Sequence, residues 1–154
     1  MFSSNNPFEE LLKEDSKNKR AIYISPEDLR GKLSGGHIEA LTDAYLLSRI
    51  YKEVIILFPD QEDKLKNILY QEVNIFNNLK FLPLKCNKSL INYILLCKNR
   101  ISLSSLSQFL KNNDNDDNHF IIGCHRNLIP HLYLVRRYGI NRCFFKSYGS
   151  IFLH

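Results

Sequence analysis

Residues 53–58 read Glu-Val-Ile-Ile-Leu-Phe, an almost continuous apolar run between Lys52 and Pro59. Runs of this kind are typical of strands that are covered on both faces, as in parallel sheets. A shorter β-prone run, RAIYIS, lies upstream at residues 20–25. Between the two runs, residues 35–51 carry apolar side chains at helical spacing, namely Ile38, Leu41, Tyr45 and Ile50. Together these segments predict a strand-helix-strand unit.

Alternating patterns continue downstream. Asp60 is a plausible N-cap for a helix up to residue 70. The further predicted elements are a strand within 74–84, helices over 88–98 and 102–111, a polar loop over 112–118, a strand over 119–124, a helix over 127–138 closed by Gly139, and a strand over 142–146. This alternation predicts an α/β fold, a Rossmann-like three-layer sandwich with a mainly parallel sheet.

The length of 154 residues suits one domain, and 44% apolar with 24% charged residues is typical of a globular chain. We expect residues 1–19 to be a partly ordered leader and residues 20–154 to form a single Rossmann-like domain. No apolar run approaches the roughly 18–20 residues that cross a bilayer, so no transmembrane segment is expected. The polar N-terminus lacks the layout of a signal peptide, which predicts a cytoplasmic location.

The four cysteines, Cys86, Cys97, Cys124 and Cys143, are far apart and form no CxxC pair. Zinc sites usually take their ligands in close pairs, so no metal site is expected, and no cofactor is expected either. We interpret the four cysteines as reduced thiols.

Positive charge is concentrated near the C-terminus. Residues 118–154 contain five basic and no acidic residues, and these five account for the whole net charge of +5. Such a segment could attract phosphates or an anionic membrane surface, or it could simply be a solvated helix face. No recognition motif accompanies the charge, so a nucleic-acid partner is not expected, whereas peripheral membrane contact stays open.

A glycine-bearing loop precedes the first long helix. Gly35 and Gly36 open that helix, where glycine lets a ligand approach the backbone and unpaired N–H groups face an anion. His37 follows them directly. Neither GxxxxGK[ST] nor GxGxxG occurs, so this is not a Walker loop or a dinucleotide fingerprint. A flexible loop with a glycine helix start is the alternative interpretation.

Two further loops are predicted at the same edge of the sheet, because each follows a parallel strand. After the strand at 119–124, His125 could act as a general base and Arg126 could hold a phosphate. After the last strand come Tyr148 and Gly149. Each loop could be an ordinary surface loop, but three polar, glycine-bearing loops at one edge favour a site.

Three segments resemble GT-B-fold glycosyltransferases of the family 4-like group. SGGHIEALTDAYLLSRIYKEVIILF (34–58) resembles their first Gly-Gly turn, helix and second strand, and HFIIGCHRN (119–127) resembles the strand that precedes an inward-facing histidine loop. LVRRYGINRCFFKSYGS (134–150) resembles the next helix, turn and strand, although Tyr148-Gly149 stands where the family has His-Gly. The SGGH turn is also similar to the acceptor-side half of lipid-linked N-acetylglucosaminyltransferases.

The resemblance, over about residues 20–151, implies an N-terminal, acceptor-side domain without the donor-binding domain. It implies His125 as the candidate catalytic residue. The candidate substrate-binding residues are Gly35, Gly36, His37, Arg126, Tyr148 and Gly149. It further implies a sugar or lipid-linked acceptor, a donor-binding α/β partner chain, and little activity for this chain alone.

Two alternatives stay open. One is a non-catalytic α/β module that binds an anionic partner through its basic C-terminal third. The other is an enzyme of another α/β class that acts on nucleotides or phospho-sugars.

Overall fold

The computed structural model describes residues 16–25, 35–60, 77–86, 100–123 and 128–146. Five strands lie in these ranges: β1 (Arg20–Ile24), β2 (Glu53–Asp60), β3 (Leu79–Lys85), β4 (Asn118–Gly123) and β5 (Cys143–Lys146). The same ranges contain the α-helices α1 (Gly35–Ile50), α2 (Leu103–Asn112) and α3 (Leu128–Tyr138), with 3₁₀ turns at Ser16–Asn18 and Ile140–Arg142.

The five strands form one sheet in the order β3-β2-β1-β4-β5, and every neighbouring pair is parallel. β1 is the central strand, and its Tyr23 lies opposite Ile56 on β2 and Ile121 on β4. The predicted α/β, Rossmann-like fold with a parallel sheet is therefore confirmed.

Side chains of the central strand alternate between two cores. Ala21 and Tyr23 face α1, whereas Ile22 and Ile24 face α2 and α3. The helices divide in this way because β2 is added on one side of β1, and β4 and β5 on the other, so right-handed crossovers reach opposite faces. Each fully buried large side chain of these strands stabilises the fold by about 1.5–3 kcal/mol. The described elements form three layers, with α1 on one face of the sheet and α2 and α3 on the other.

β2 extends two residues beyond the predicted end, through Pro59 and Asp60, which pair with β3. Proline is tolerated where no partner needs its missing N–H. The Leu57 carbonyl accepts the last bond from β1, from the Ser25 amide at 2.8 Å. Pro59 lies two residues further on and faces the same side, beyond the last β1 residue paired with β2. The sheet therefore loses no ladder bond there.

α2 covers residues 103–112, one residue later than predicted at both ends, and α3 ends at residue 138 as predicted. The Ser102 side chain caps α2 by accepting from the Ser105 amide. At the other end, Asn113 Nδ2 donates to the Phe109 carbonyl at 2.9 Å, which satisfies one of the free carbonyls. α3 stops before Gly139, whose φ of +89° is incompatible with a continuing helix.

The polar segment 112–118 is a loop only over residues 113–117, because Asn112 is the last residue of α2. Asn118 is fully buried and begins β4. Arg142 fixes this connection, since its Nε and Nη2 donate to the carbonyls of Asn118 and Asn115 at 2.9 and 2.7 Å. The loop is exposed but held at its end, and one of the five C-terminal basic residues is used for this purpose.

Several predicted segments lie outside the described residues: the leader up to residue 15, the helix after Asp60 and the helix over 88–98. Asp60 itself is the last residue of β2. In the part of the chain that the structure describes, no helix has the length and apolarity needed to cross a membrane.

Candidate functional site

The carboxyl ends of all five strands lie at one edge of the sheet, because every pair is parallel. The three segments predicted to carry the site follow β1, β4 and β5. As the sequence predicts, the last residues of these strands, Ile24, Gly123 and Lys146, therefore end at the same edge. The loops that continue from them, at 26–34, 124–127 and 147–150, lie outside the described residues.

A topological switch point lies at this edge between β1 and β4. From β1 the chain passes through α1 to β2 on one side, and it later returns to add β4 on the other side. Loops that leave such neighbouring strands diverge to opposite faces, which opens a crevice at their carboxyl ends. In open α/β sheets this crevice is where ligands bind.

Three of the seven predicted site residues lie in the described ranges. Gly35 and Gly36 are the first two residues of α1, and His37 is the third. The first backbone N–H groups of a helix have no partner within it, so this start can offer donors to an anion. The remaining predicted site residues lie outside the described ranges: His125, Arg126, Tyr148 and Gly149.

A buried polar contact fixes α1 against the sheet. The Tyr23 hydroxyl on β1 donates to Asp43 Oδ2 on α1 at 3.0 Å, and both residues are buried. Asp43 lies about two turns after the start of α1, and Tyr23 lies just before the end of β1. A buried carboxylate is costly without hydrogen bonds, so the pair favours one position of α1 relative to β1. It thereby positions the glycine start of the helix.

Sequence reasoning missed this pair. The signal was available in α1, where Asp43 falls between Ala40, Ala44 and Leu47 on the face that packs against the sheet. An acidic residue on such a face needs a partner, because an isolated charge is strongly disfavoured there. The sequence does not show which of the many residues on the neighbouring strands supplies the donor.

A second polar region lies at the opposite, amino edge of the sheet. It is a groove of about 460 Å³ between the starts of β1, β2 and β3 and the loop before β4. Glu53 lies in it, 3.7 Å from Arg20 Nε and 2.5 Å from Lys80 Nζ. The lining contains four cations, Lys19, Arg20, Lys52 and Lys80, and two carboxylates, Glu53 and Asp117, so the groove keeps a net positive charge. The groove is on the wrong edge for a switch-point ligand.

Within the described ranges, no group of three or more His, Cys, Asp or Glu side chains is placed to hold a metal ion. The two cysteines in those ranges, Cys86 and Cys143, are thiols that form no disulfide there. Burial raises the pKa of the Cys143 thiol to about 11, which keeps it protonated and unreactive at neutral pH.

Comparison of the chain with protein-family models, curated proteins and solved structures gives no match. The α/β class rests on the sheet itself, and the function must be argued from the geometry of the switch point and from the sequence.

Proposed function

We propose that this chain is the acceptor-side domain of a GT-B-type glycosyltransferase and that it requires a donor-binding α/β partner for activity. The observation that carries the proposal is the switch point between β1 and β4, beside which α1 begins with Gly35 and Gly36. A sugar or lipid-linked acceptor would occupy this crevice, on the cytoplasmic side of the cell.

The chemistry of sugar transfer explains why one such domain is insufficient. The acceptor hydroxyl must be held about 3–3.5 Å from the anomeric carbon, and the charge developing on the diphosphate must be stabilised. On this proposal the helix start contributes N–H groups, Arg126 contributes a cation and His125 acts as general base. A single sheet edge cannot enclose the donor, so the partner must supply that wall.

The first test is reconstitution. The tagged chain is purified from its native source, and the proteins that accompany it are assayed for hydrolysis of UDP- and GDP-sugars with and without the chain. We expect background hydrolysis from the chain alone and release of nucleoside diphosphate from the pair. Absence of a second α/β chain, together with background hydrolysis throughout, would overturn the proposal.

Matched variants locate the site. Gly36→Val adds a β-branched side chain at the start of α1, whereas Thr42→Val replaces a hydroxyl by a methyl group at an exposed position of the same helix and is the conservative control. Arg126→Ala is compared with Arg49→Ala, which removes an exposed arginine from the end of α1. Gly36→Val and Arg126→Ala should each lower the activity of the pair at least tenfold, and the two controls should retain it.

Ligand binding by the chain alone distinguishes an enzyme of another α/β class from the proposed acceptor-side domain. A ligand present at 100 times its Kd raises the stability of the native state by about 2.7 kcal/mol, which a thermal shift detects. Stabilisation by adenine nucleotides or phospho-sugars, abolished by Gly36→Val, would favour an enzyme of another α/β class over the proposed acceptor-side domain.

The alternative of a non-catalytic module makes a different prediction. Two arginines of the basic third, Arg136 and Arg137, are exposed on α3. Binding of an anionic partner there should weaken steeply with added salt and be unaffected by Gly36→Val.

A further inference from the structure

The outward face of α3 is unusual for a surface helix because it is apolar in its first half. Ile129 and Leu132 are 40% and 58% exposed, and Ile140, in the 3₁₀ turn after the helix, is 72% exposed. At 100° per residue, Ile129, Leu132 and Arg136 fall within an arc of roughly 60°. Arg137 lies about 80° further round the helix from Ile129, and Ile140 lies in the turn that follows the helix. We call these five exposed residues, Ile129, Leu132, Arg136, Arg137 and Ile140, the α3 outer face.

The inward side of the same helix explains why this face points outward. Leu134 is fully buried in the core beneath β4 and β5, and Pro130 is also buried. His131 packs against Phe145 of β5 with ring centroids 5.2 Å apart. The rotation of α3 is therefore fixed by its packing, and its outer residues cannot turn into the core.

Positive charge accompanies these apolar side chains. Arg136 and Arg137 are both exposed, and Arg137 Nη1 donates to the Tyr133 hydroxyl one turn earlier, at 2.8 Å. Residues 118–154 contain no acidic residue. Arg142 differs from these two arginines, because its guanidinium is bound to backbone carbonyls. The α3 outer face thus combines two cations with three exposed apolar side chains.

We propose that the α3 outer face binds an anionic lipid surface. Ile129, Leu132 and Ile140 would enter the boundary between headgroups and acyl chains, while Arg136 and Arg137 contact lipid phosphates. Amphipathic surfaces that combine leucine or isoleucine with arginine bind membranes in this way, and anionic lipids add to the attraction. The proposal does not depend on the glycosyltransferase function, since no residue of the switch point takes part.

The combination of positive charge and apolar side chains favours a lipid surface over nucleic acid or a second copy of the chain as the partner of the α3 outer face. Nucleic acid would attract the two arginines, but its phosphates offer no site for Leu132 and Ile140. A second copy of the chain would cover the apolar side chains, but a face-to-face pair places like charges close together. An anionic lipid surface offers phosphates to the two arginines and an apolar boundary to the three apolar side chains.

The test is vesicle flotation with the full chain. Binding is compared on vesicles of phosphatidylcholine and on vesicles that also contain phosphatidylglycerol, and we expect stronger binding to the anionic ones, weakened by salt. Leu132→Ser should weaken binding roughly tenfold, as expected for losing the burial of one leucine. Arg136→Gln and Arg137→Gln should weaken it about fivefold each.

The matched control is Ile38→Ser. Ile38 is 56% exposed, almost as much as Leu132, but it lies on α1, which covers the opposite face of the sheet. This variant should bind vesicles like the unmodified chain. All variants change exposed residues, and circular dichroism establishes that each is folded.

Three results would overturn the proposal. One is failure of the folded chain to float with anionic vesicles. Another is equal loss of binding in Ile38→Ser and Leu132→Ser. The third is binding to an oligonucleotide or to a second copy that depends on the α3 outer face, while vesicle binding does not.

Discussion

The Tyr51 hydroxyl lies 3.0 Å from Nδ1 of His119, in the core between α1 and the start of β4. The two rings meet edge to face with centroids 5.6 Å apart, and Phe144 of β5 packs against the imidazole. Burial, helped by the charges of Lys19 and Arg142 and opposed by Asp117, lowers the pKa of His119 to about 4. The imidazole is therefore neutral in the folded protein, and one ring nitrogen can accept a hydrogen bond.

This pKa makes stability depend on pH in a defined direction. An unfolded histidine has a pKa near 6.5, so between pH 6.5 and about 4 the unfolded chain binds a proton that folded His119 does not. Stability should therefore fall as the pH falls through that window, by at most about 1.4 kcal/mol per pH unit for this group. Urea unfolding at a series of pH values measures the slope.

The variant His119→Gln isolates this contribution from that of other groups. It should be less stable at pH 7, by about 1–3 kcal/mol, because the Tyr51 hydroxyl loses a well-placed partner. Its stability should also fall less between pH 7 and 4. His131→Gln is measured in the same way, because burial lowers the pKa of His131 too and this residue also contributes to the pH dependence of stability. Parallel curves for the unmodified chain and His119→Gln would contradict the assignment.

The Tyr23–Asp43 contact predicts a loss of stability when either residue is changed. Tyr23→Phe leaves the buried Asp43 carboxylate without this donor, and Asp43→Ala leaves the hydroxyl without its acceptor. Each change should cost about 1–3 kcal/mol, because each removes one partner of a buried hydrogen bond.

Chemical unfolding of the two single variants and of the double variant measures the coupling. Tyr45→Phe is the control, since Tyr45 is exposed on the same helix and its hydroxyl accepts a surface bond from Arg49 Nη1 at 2.9 Å. It should change stability by less than about 0.5 kcal/mol. Additive effects of Tyr23→Phe and Asp43→Ala would show that the contact does not couple the two residues.

Arg142→Gln should destabilise the protein, whereas Arg136→Gln should not. The Arg142 guanidinium donates to the Asn115 and Asn118 carbonyls and lies 5.1 Å from the ring centre of Tyr138. Loss of two charge-assisted bonds at a partly buried site predicts a cost of about 1.5–3 kcal/mol in urea unfolding. Equal stability of the two variants would mean that Arg142 is an ordinary surface charge.

Sequence patterns predicted the strands well because their signal is local. The run at 53–58 is apolar throughout, and its strand lies between two others in the sheet. Its extension through Pro59 was not predictable, since it depends on where the neighbouring strand β1 stops. Strand order carries no local signal either.

The candidate site also combines features that local sequence predicts with contacts that it does not predict. Gly35 and Gly36 lie at the start of a helix, as their sequence predicts. The pairs that hold that helix, Tyr23–Asp43 and Tyr51–His119, join residues 20 and 68 positions apart. Such contacts depend on the tertiary arrangement of strands, which composition and periodicity do not specify.

Gly139 gives the cleanest test of backbone conformation in this chain. Its φ of 89° and ψ of 156° lie in a region that is essentially restricted to glycine, well away from the left-handed helical region that asparagine tolerates. A Cβ added there would meet no atom within 4 Å, so the cost of substitution comes from the backbone alone. Gly139→Ala and Gly139→Asn should therefore both destabilise the protein by about 1–3 kcal/mol in urea unfolding. If asparagine restored most of the stability lost with alanine, the residue would have to adopt a left-handed helical conformation instead, and α3 would join β5 through a different turn.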